Sequence, residues 1–102
     1  MNIFKENRKP SSLPDRINWK NVQFKRIIAD NEEVRVAYKV IVNGAVVGAI
    51  GRVKNSVGGI RDWIWVEKNE SFKNYHFDKL NLTRRWAAAS LLQTLNKRGI
   101  LA

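Results

Sequence analysis

The chain has no cysteine and a single histidine, and its two prolines, Pro10 and Pro14, both lie near the start. Without cysteine there are no disulfides and no thiolate metal ligands, a composition that a reducing compartment permits. His76 has no second His beside it, and Asp78 two residues on does not complete a metal site. Nor does it support a Ser-His-Asp arrangement, so His76 reads as structural or surface. Glu32-Glu33 has no partner base and belongs to a turn. Gly44, Gly48 and Gly51 sit inside a strand-turn-strand pattern, where a dinucleotide loop would need them between a strand and a helix. No apolar run approaches the roughly 20 residues of a membrane helix, and the opening Met1-Asn2-Ile3-Phe4 does not lead into a signal-peptide core. These absences predict a non-enzymatic, cytoplasmic protein with no cofactor, no metal and no membrane partner.

Acidic residues are also scarce. Nine Asp and Glu stand against nineteen Lys and Arg in 102 residues, a net charge of +10. Such an excess attracts polyanions, whether nucleic acid, acidic protein or anionic lipid. The plainer reading is a soluble, self-repelling surface. The length fits one domain and one modest core.

Residues 1–18 read as a flexible basic arm, since Pro10, Ser11, Ser12 and Pro14 oppose regular structure. Lys5, Arg8, Lys9 and Arg16 outnumber Glu6 and Asp15 there. Residues 19–102 read as a single α+β domain: an antiparallel β-meander of three to four strands packed by one C-terminal helix. A weak strand over 22–29 is followed by turn residues Asp30-Asn31-Glu32-Glu33. Val34, Val36, Tyr38, Val40 and Val42 then alternate with Arg35, Ala37, Lys39 and Ile41, a period of two. Asn43-Gly44 supplies a type I′ turn, and 45–53 returns.

A two-residue turn sets the expected register: Val42 opposite Ala45, Val40 opposite Val47, Tyr38 opposite Ala49, and Val36 opposite Gly51. The other face then pairs Ile41 with Val46, Lys39 with Gly48, Ala37 with Ile50, and Arg35 with Arg52. After a turn at 54–59, a further strand covers 60–68. In one register Trp63 faces Gly51 and Trp65 faces Ala49 on the core side, and Asp62 faces Arg52. Slipped by one, both tryptophans join Arg35, Lys39 and Arg52 on the open face. Cross-strand pairing favours the first register. Residues 69–80 read as a loop that tucks Phe72, Tyr75 and Phe77 onto the core edge. Residues 83–97 are helical, with Asn81 or Thr83 as the cap and Gly99 as the stop. Ala87, Ala88, Leu91, Leu92 and Leu95 form the buried stripe, opposite Trp86, Ser90, Gln93 and Lys97.

The candidate sites are basic. Arg84 and Arg85 stand in the first helical turn, where the dipole favours acids and free N–H groups accept anions. Trp86, off the apolar stripe, either stacks on a base or folds over the helix start against Phe77 or Leu80. Arg35, Lys39 and Arg52 are expected on one open sheet face, with Ile41, Val46 and Ile50 between them.

The run Thr83-Arg84-Arg85-Trp86-Ala87 resembles the basic second helix of double-stranded-RNA-binding domains, which places its N-terminus on phosphates. Three strands followed by a helix are similar in outline to integrase-arm and plant transcription-factor domains, whose sheet enters the major groove. Each resemblance covers only residues 34–97. The first family's leading helix has no counterpart before Val34, and the second's arginine- and tryptophan-rich strand motifs are not reproduced. The expected function is phosphate-directed binding of DNA or RNA by Lys5, Arg8, Lys9, Arg16, Arg35, Lys39, Arg52, Arg84 and Arg85, with Trp86 stacking. The alternative is an inhibitor or adaptor, such as a phage- or plasmid-encoded factor, that docks on an acidic host protein through Trp86, Ile41, Val46 and Ile50. A third reading is a structural subunit whose strand edges pair between copies.

Overall fold

The C-terminal helix organises the molecule. In a computed structural model, which describes residues 3–5, 12–53, 63–74 and 83–100, helix α1 spans Arg84–Lys97 and lies across a four-stranded antiparallel sheet. The strands run in sequence order: β1 Val22–Ile27, β2 Val34–Val42, β3 Ala45–Val53 and β4 Trp63–Glu67. This is the α+β meander expected. The strand in front of β2 occupies the place where a double-stranded-RNA-binding domain would have its first helix.

Local chemistry sets the ends of α1. The Thr83 hydroxyl accepts a hydrogen bond from the Trp86 amide at 3.1 Å, satisfying one donor of the first turn. At the other end Gly99 takes φ +75°, and the Ile100 amide returns to the Leu95 carbonyl at 3.0 Å. The expected stripe Ala87, Ala88, Leu91, Leu92 and Leu95 is buried, and Ala89 joins it. Beneath it lie Val22, Val40, Val42, Ile50 and Trp65. Asn43 and Gly44 both have positive φ at the β2–β3 turn, as a type I′ turn requires.

The hairpin register departs from expectation within three residues of that turn. Val42 opposes Ala45 and Ile41 opposes Val46, but Val40 then opposes Gly48. Val47 is the extra residue of a β-bulge. From there β3 is shifted by one: Tyr38 faces Ile50, Ala37 faces Gly51, and Val36 faces Arg52. A second irregularity skips Arg35 and pairs Val34 with Val53. The first bulge puts Gly48 beneath α1, where a Cβ would stand 2.7 Å from Leu91 Cδ2. A straight hairpin would have turned Ala49 toward the helix and Gly48 away from it, whereas here Ala49 packs on the outer face.

Register also settles the tryptophans. Trp63 opposes Arg52 and Trp65 opposes Ile50. Both are on the helix-facing side as favoured, but one position away from Gly51 and Ala49. Asp62 lies outside the described residues, as do the 54–59 turn, Tyr75, His76, Phe77, Leu80 and Asn81.

The sheet's outer face carries a second core of Val34, Ala37, Val53, Ile64, Val66 and Phe72. Phe72 comes from a short 3-10 turn, Phe72–Asn74, and tucks inward as expected. Asp30 holds it there. Its carboxylate accepts from the Ser71 hydroxyl and from the Phe72 amide, the latter at 3.0 Å, while Asn31 Nδ2 donates to the Phe72 carbonyl at 3.1 Å. The Ser71 hydrogen bond in particular holds the Asp30 carboxyl below its ordinary range. The folded state therefore binds this proton less readily than the unfolded chain. The tether is complete at neutral pH and is lost as acid titrates the carboxylate through its depressed pKa. Asp30→Asn is expected to lower Tm at pH 7, and the gap from the parent should narrow on moving to pH 3. A gap that is constant with pH would mean the carboxylate charge is not what holds the tether.

The segment read as a free arm is anchored wherever it is described. Phe4 and Ile17 form an antiparallel bridge, flanked by Lys5 N to Arg16 O at 2.6 Å and Asn18 N to Ile3 O at 2.7 Å. Ile3 and Ile17 are buried in the helix-side core, with Pro14 buried in the 3-10 turn Pro14–Arg16. The apolar residues among the basic ones make the difference: burying an isoleucine is worth about 1.5–3 kcal/mol. Residues 6–11, including Arg8 and Lys9, lie outside the described residues.

Candidate nucleic-acid interface

A row of four aromatic rings crosses the helix-facing side of the sheet beyond the N-terminus of α1. Trp19, in the 3-10 turn Trp19–Asn21, leads into β1 and lies 6.1 Å from Phe24, centroid to centroid. Phe24 meets Tyr38 edge-on at 6.3 Å, and Tyr38 stacks with Trp63 at 6.5 Å. Alternation along each strand places Phe24, Tyr38 and Trp63 on the same face. Trp19 is fixed by its indole N–H, which donates to the Pro14 carbonyl at 2.9 Å. All four rings are half-buried.

Arginines lie over these rings. The Arg84 guanidinium is 5.3 Å from the Tyr38 centroid and 5.7 Å from Phe24, and Arg85 is 5.2 Å from Trp19. Arg26, two residues after Phe24 on β1, is 5.7 Å from Tyr38. Each contact contributes about 0.5–1 kcal/mol at an exposed site and restricts the long side chain to one region. Arg26, Arg84 and Arg85 stay exposed. The first turn of α1 carries no acid. Of the described acids, Asp15 belongs to the Pro14–Arg16 turn beside Trp19, whereas Asp30, Glu32 and Glu33 belong to the β1–β2 turn and Glu67 and Glu70 to the end of β4 remote from Trp63.

The expected site residues separate into groups. Arg84 and Arg85 come together as anticipated, and they join Arg26, which sequence reading passed over. Arg52 does not share a face with Arg35 and Lys39. The bulge at Val47 turns it to the helix-facing side, half-buried, opposite Val36 and Trp63. Arg35 and Lys39 remain exposed on the outer face, where Lys39 opposes Lys25. Ile50 likewise turns inward and is buried, leaving Ile41 and Val46 half-buried on the outside. Trp86 is 39% exposed. Two residues after Arg84, it lies about 200° round the helix, away from the aromatic row. Lys5 and Arg16 are exposed and adjacent through the Phe4–Ile17 bridge.

Sequence reading favoured the core side for Trp63 and did not single out Trp19 or Phe24. A hint to their role is the Phe24-x-Arg26 spacing, which puts ring and cation on one face of β1.

Among the described residues no group of His, Cys, Asp and Glu is placed to hold a metal, and no helix is long and apolar enough to cross a membrane. Comparison with protein-family models, with curated proteins and with solved structures returns no match.

Proposed function

We propose that this protein binds nucleic acid without catalysis, through phosphate contacts made by Arg26, Arg84 and Arg85. The observation that carries the reading is the arginine-over-aromatic array. It concentrates cations that form no ion pair with an acid among the described residues, on a chain of net charge +10. Guanidinium groups offer paired N–H donors that match phosphate oxygens. Arg52, Lys5 and Arg16 extend the positive surface. Arg35 and Lys39, on the other side of the sheet, lie outside the array.

The test is charge-matched. Arg84→Gln with Arg85→Gln is expected to weaken binding about 10- to 100-fold and to reduce the slope of log K against log salt by about 2. Lys68→Gln with Lys73→Gln removes the same charge from exposed positions and is expected to cost far less. Equal losses from the two pairs would leave only diffuse attraction and remove the site.

An acidic protein partner is the second reading. It is favoured by the exposed Trp86, because Trp and Arg are the residues that dominate protein interfaces. Retention of the protein by an acidic partner, with no salt-resistant binding to nucleic acid, would select it.

A further inference from the structure

We infer that the arginine-over-aromatic surface takes the phosphate backbone of a double helix in preference to a single strand. This rests on the nucleic-acid reading above and adds the form of the polymer.

A single-strand platform needs a series of open ring faces on which successive bases stack. Here the rings are occupied. Trp19, Phe24, Tyr38 and Trp63 contact one another along the row, and guanidiniums stand over Trp19, Phe24 and Tyr38 at 5.2–5.7 Å. A base could reach the arginine-covered faces of Trp19, Phe24 and Tyr38 only by displacing a guanidinium. The one exposed aromatic ring among the described residues, Trp86, is on the far side of α1. Among the described residues, therefore, no two open rings are placed to hold consecutive bases.

What the surface presents is charge in a restricted arrangement. A guanidinium over a ring keeps its in-plane N–H donors available to phosphate oxygens. Held cations match a rigid duplex better than a flexible strand, which must itself be ordered on binding. The array also continues beyond the helix start. The Pro14–Arg16 turn that anchors Trp19 carries Arg16, and the Lys5 amide bonds the Arg16 carbonyl at 2.6 Å. The molecule is 38 Å in its longest dimension, close to the roughly 34 Å of one duplex turn.

The test uses the full chain, nuclease-treated, titrated at about 0.15 M salt. The probes are labelled mixed-sequence DNA duplex, RNA duplex and single-stranded DNA, each of about two turns' length. At least one duplex is expected to bind about tenfold tighter than the single strand, and the DNA and RNA arms identify which. Trp86→Ala is expected to leave duplex affinity within about twofold. Equal or tighter binding of the single strand would overturn the duplex inference and leave the nucleic-acid reading in place. A tenfold loss from Trp86→Ala, in a variant with unchanged circular dichroism, would also overturn it. Binding to none of the three would remove both.

Discussion

Gly48→Ala is expected to destabilise the protein by about 2–3 kcal/mol, which for a domain of this size lowers Tm by roughly 10–20 °C. A Cβ at this position would stand 2.5 Å from the Val66 carbonyl oxygen and 2.7 Å from Leu91 Cδ2. The first neighbour is backbone in the strand beside it, so relief requires movement of the β3–β4 ladder. The second is a fully buried leucine of α1, so relief there lifts the helix from the sheet. Gly44 supplies the contrast. It has φ +83°, and a Cβ there would meet nothing within 4 Å. Alanine at Gly44 should cost only the conformational penalty of the left-handed region, about 1–2 kcal/mol. Thermal unfolding of the two variants separates close approach from turn conformation. Equal Tm values, or a milder effect at Gly48, would show that the helix does not sit on this backbone.

Phe72→Ala is expected to cost about 3–5 kcal/mol, a large share of the 5–15 kcal/mol that stabilises a typical domain. Phe72 is buried on the outer face, with Cε1 3.0 Å from where a Cβ on Gly51 would stand. It is the buried member of the cluster of Val34, Ala37, Val53, Ile64 and Val66 that comes from outside the sheet, where the small, partly buried Ala29 also packs. Removing the ring leaves a cavity over five apolar side chains. Ile28→Ser is the control, because Ile28 is 98% exposed and its loss should fall within about 0.5 kcal/mol. Urea unfolding of both variants measures the difference. A Phe72→Ala protein as stable as the parent would mean that the outer face needs no cover. The Asp30 tether and this core act on the same residue, so their effects are not expected to add.

The outer core explains why this sheet differs from one that lays its open face on DNA. Val34, Ile64 and Val66 need burial, and Phe72 takes up part of the face. The basic residues left there, Lys25, Arg35 and Lys39, are exposed and stand away from the aromatic row.

Several features were determined by the sequence alone because they depend on neighbours in the chain. The period of two over 34–42, the Asn43-Gly44 turn and the capped, alanine- and leucine-rich helix each carry local signals, and each element formed where expected. The buried stripe of α1 follows from helical period for the same reason. The pairing of Arg84 with Arg85 is simply adjacency. Tertiary structure decided the rest. A bulge at Val47 changes which residues of β3 face the helix, and the reason is three-dimensional: only Gly48 leaves room for Leu91. That single shift removes Arg52 from the face of Arg35 and Lys39. Glycine inside a strand pattern is a general signal of a bulge or a close backbone approach, but it does not specify which way the register moves. The anchoring of Ile3 and Ile17 depended equally on a groove that exists only once helix and sheet have met. The aromatic row draws on residues 19, 24, 38 and 63, and its arginines on 26, 84 and 85. Positions so far apart in the chain become one surface only through strand order and helix placement, which no local pattern encodes.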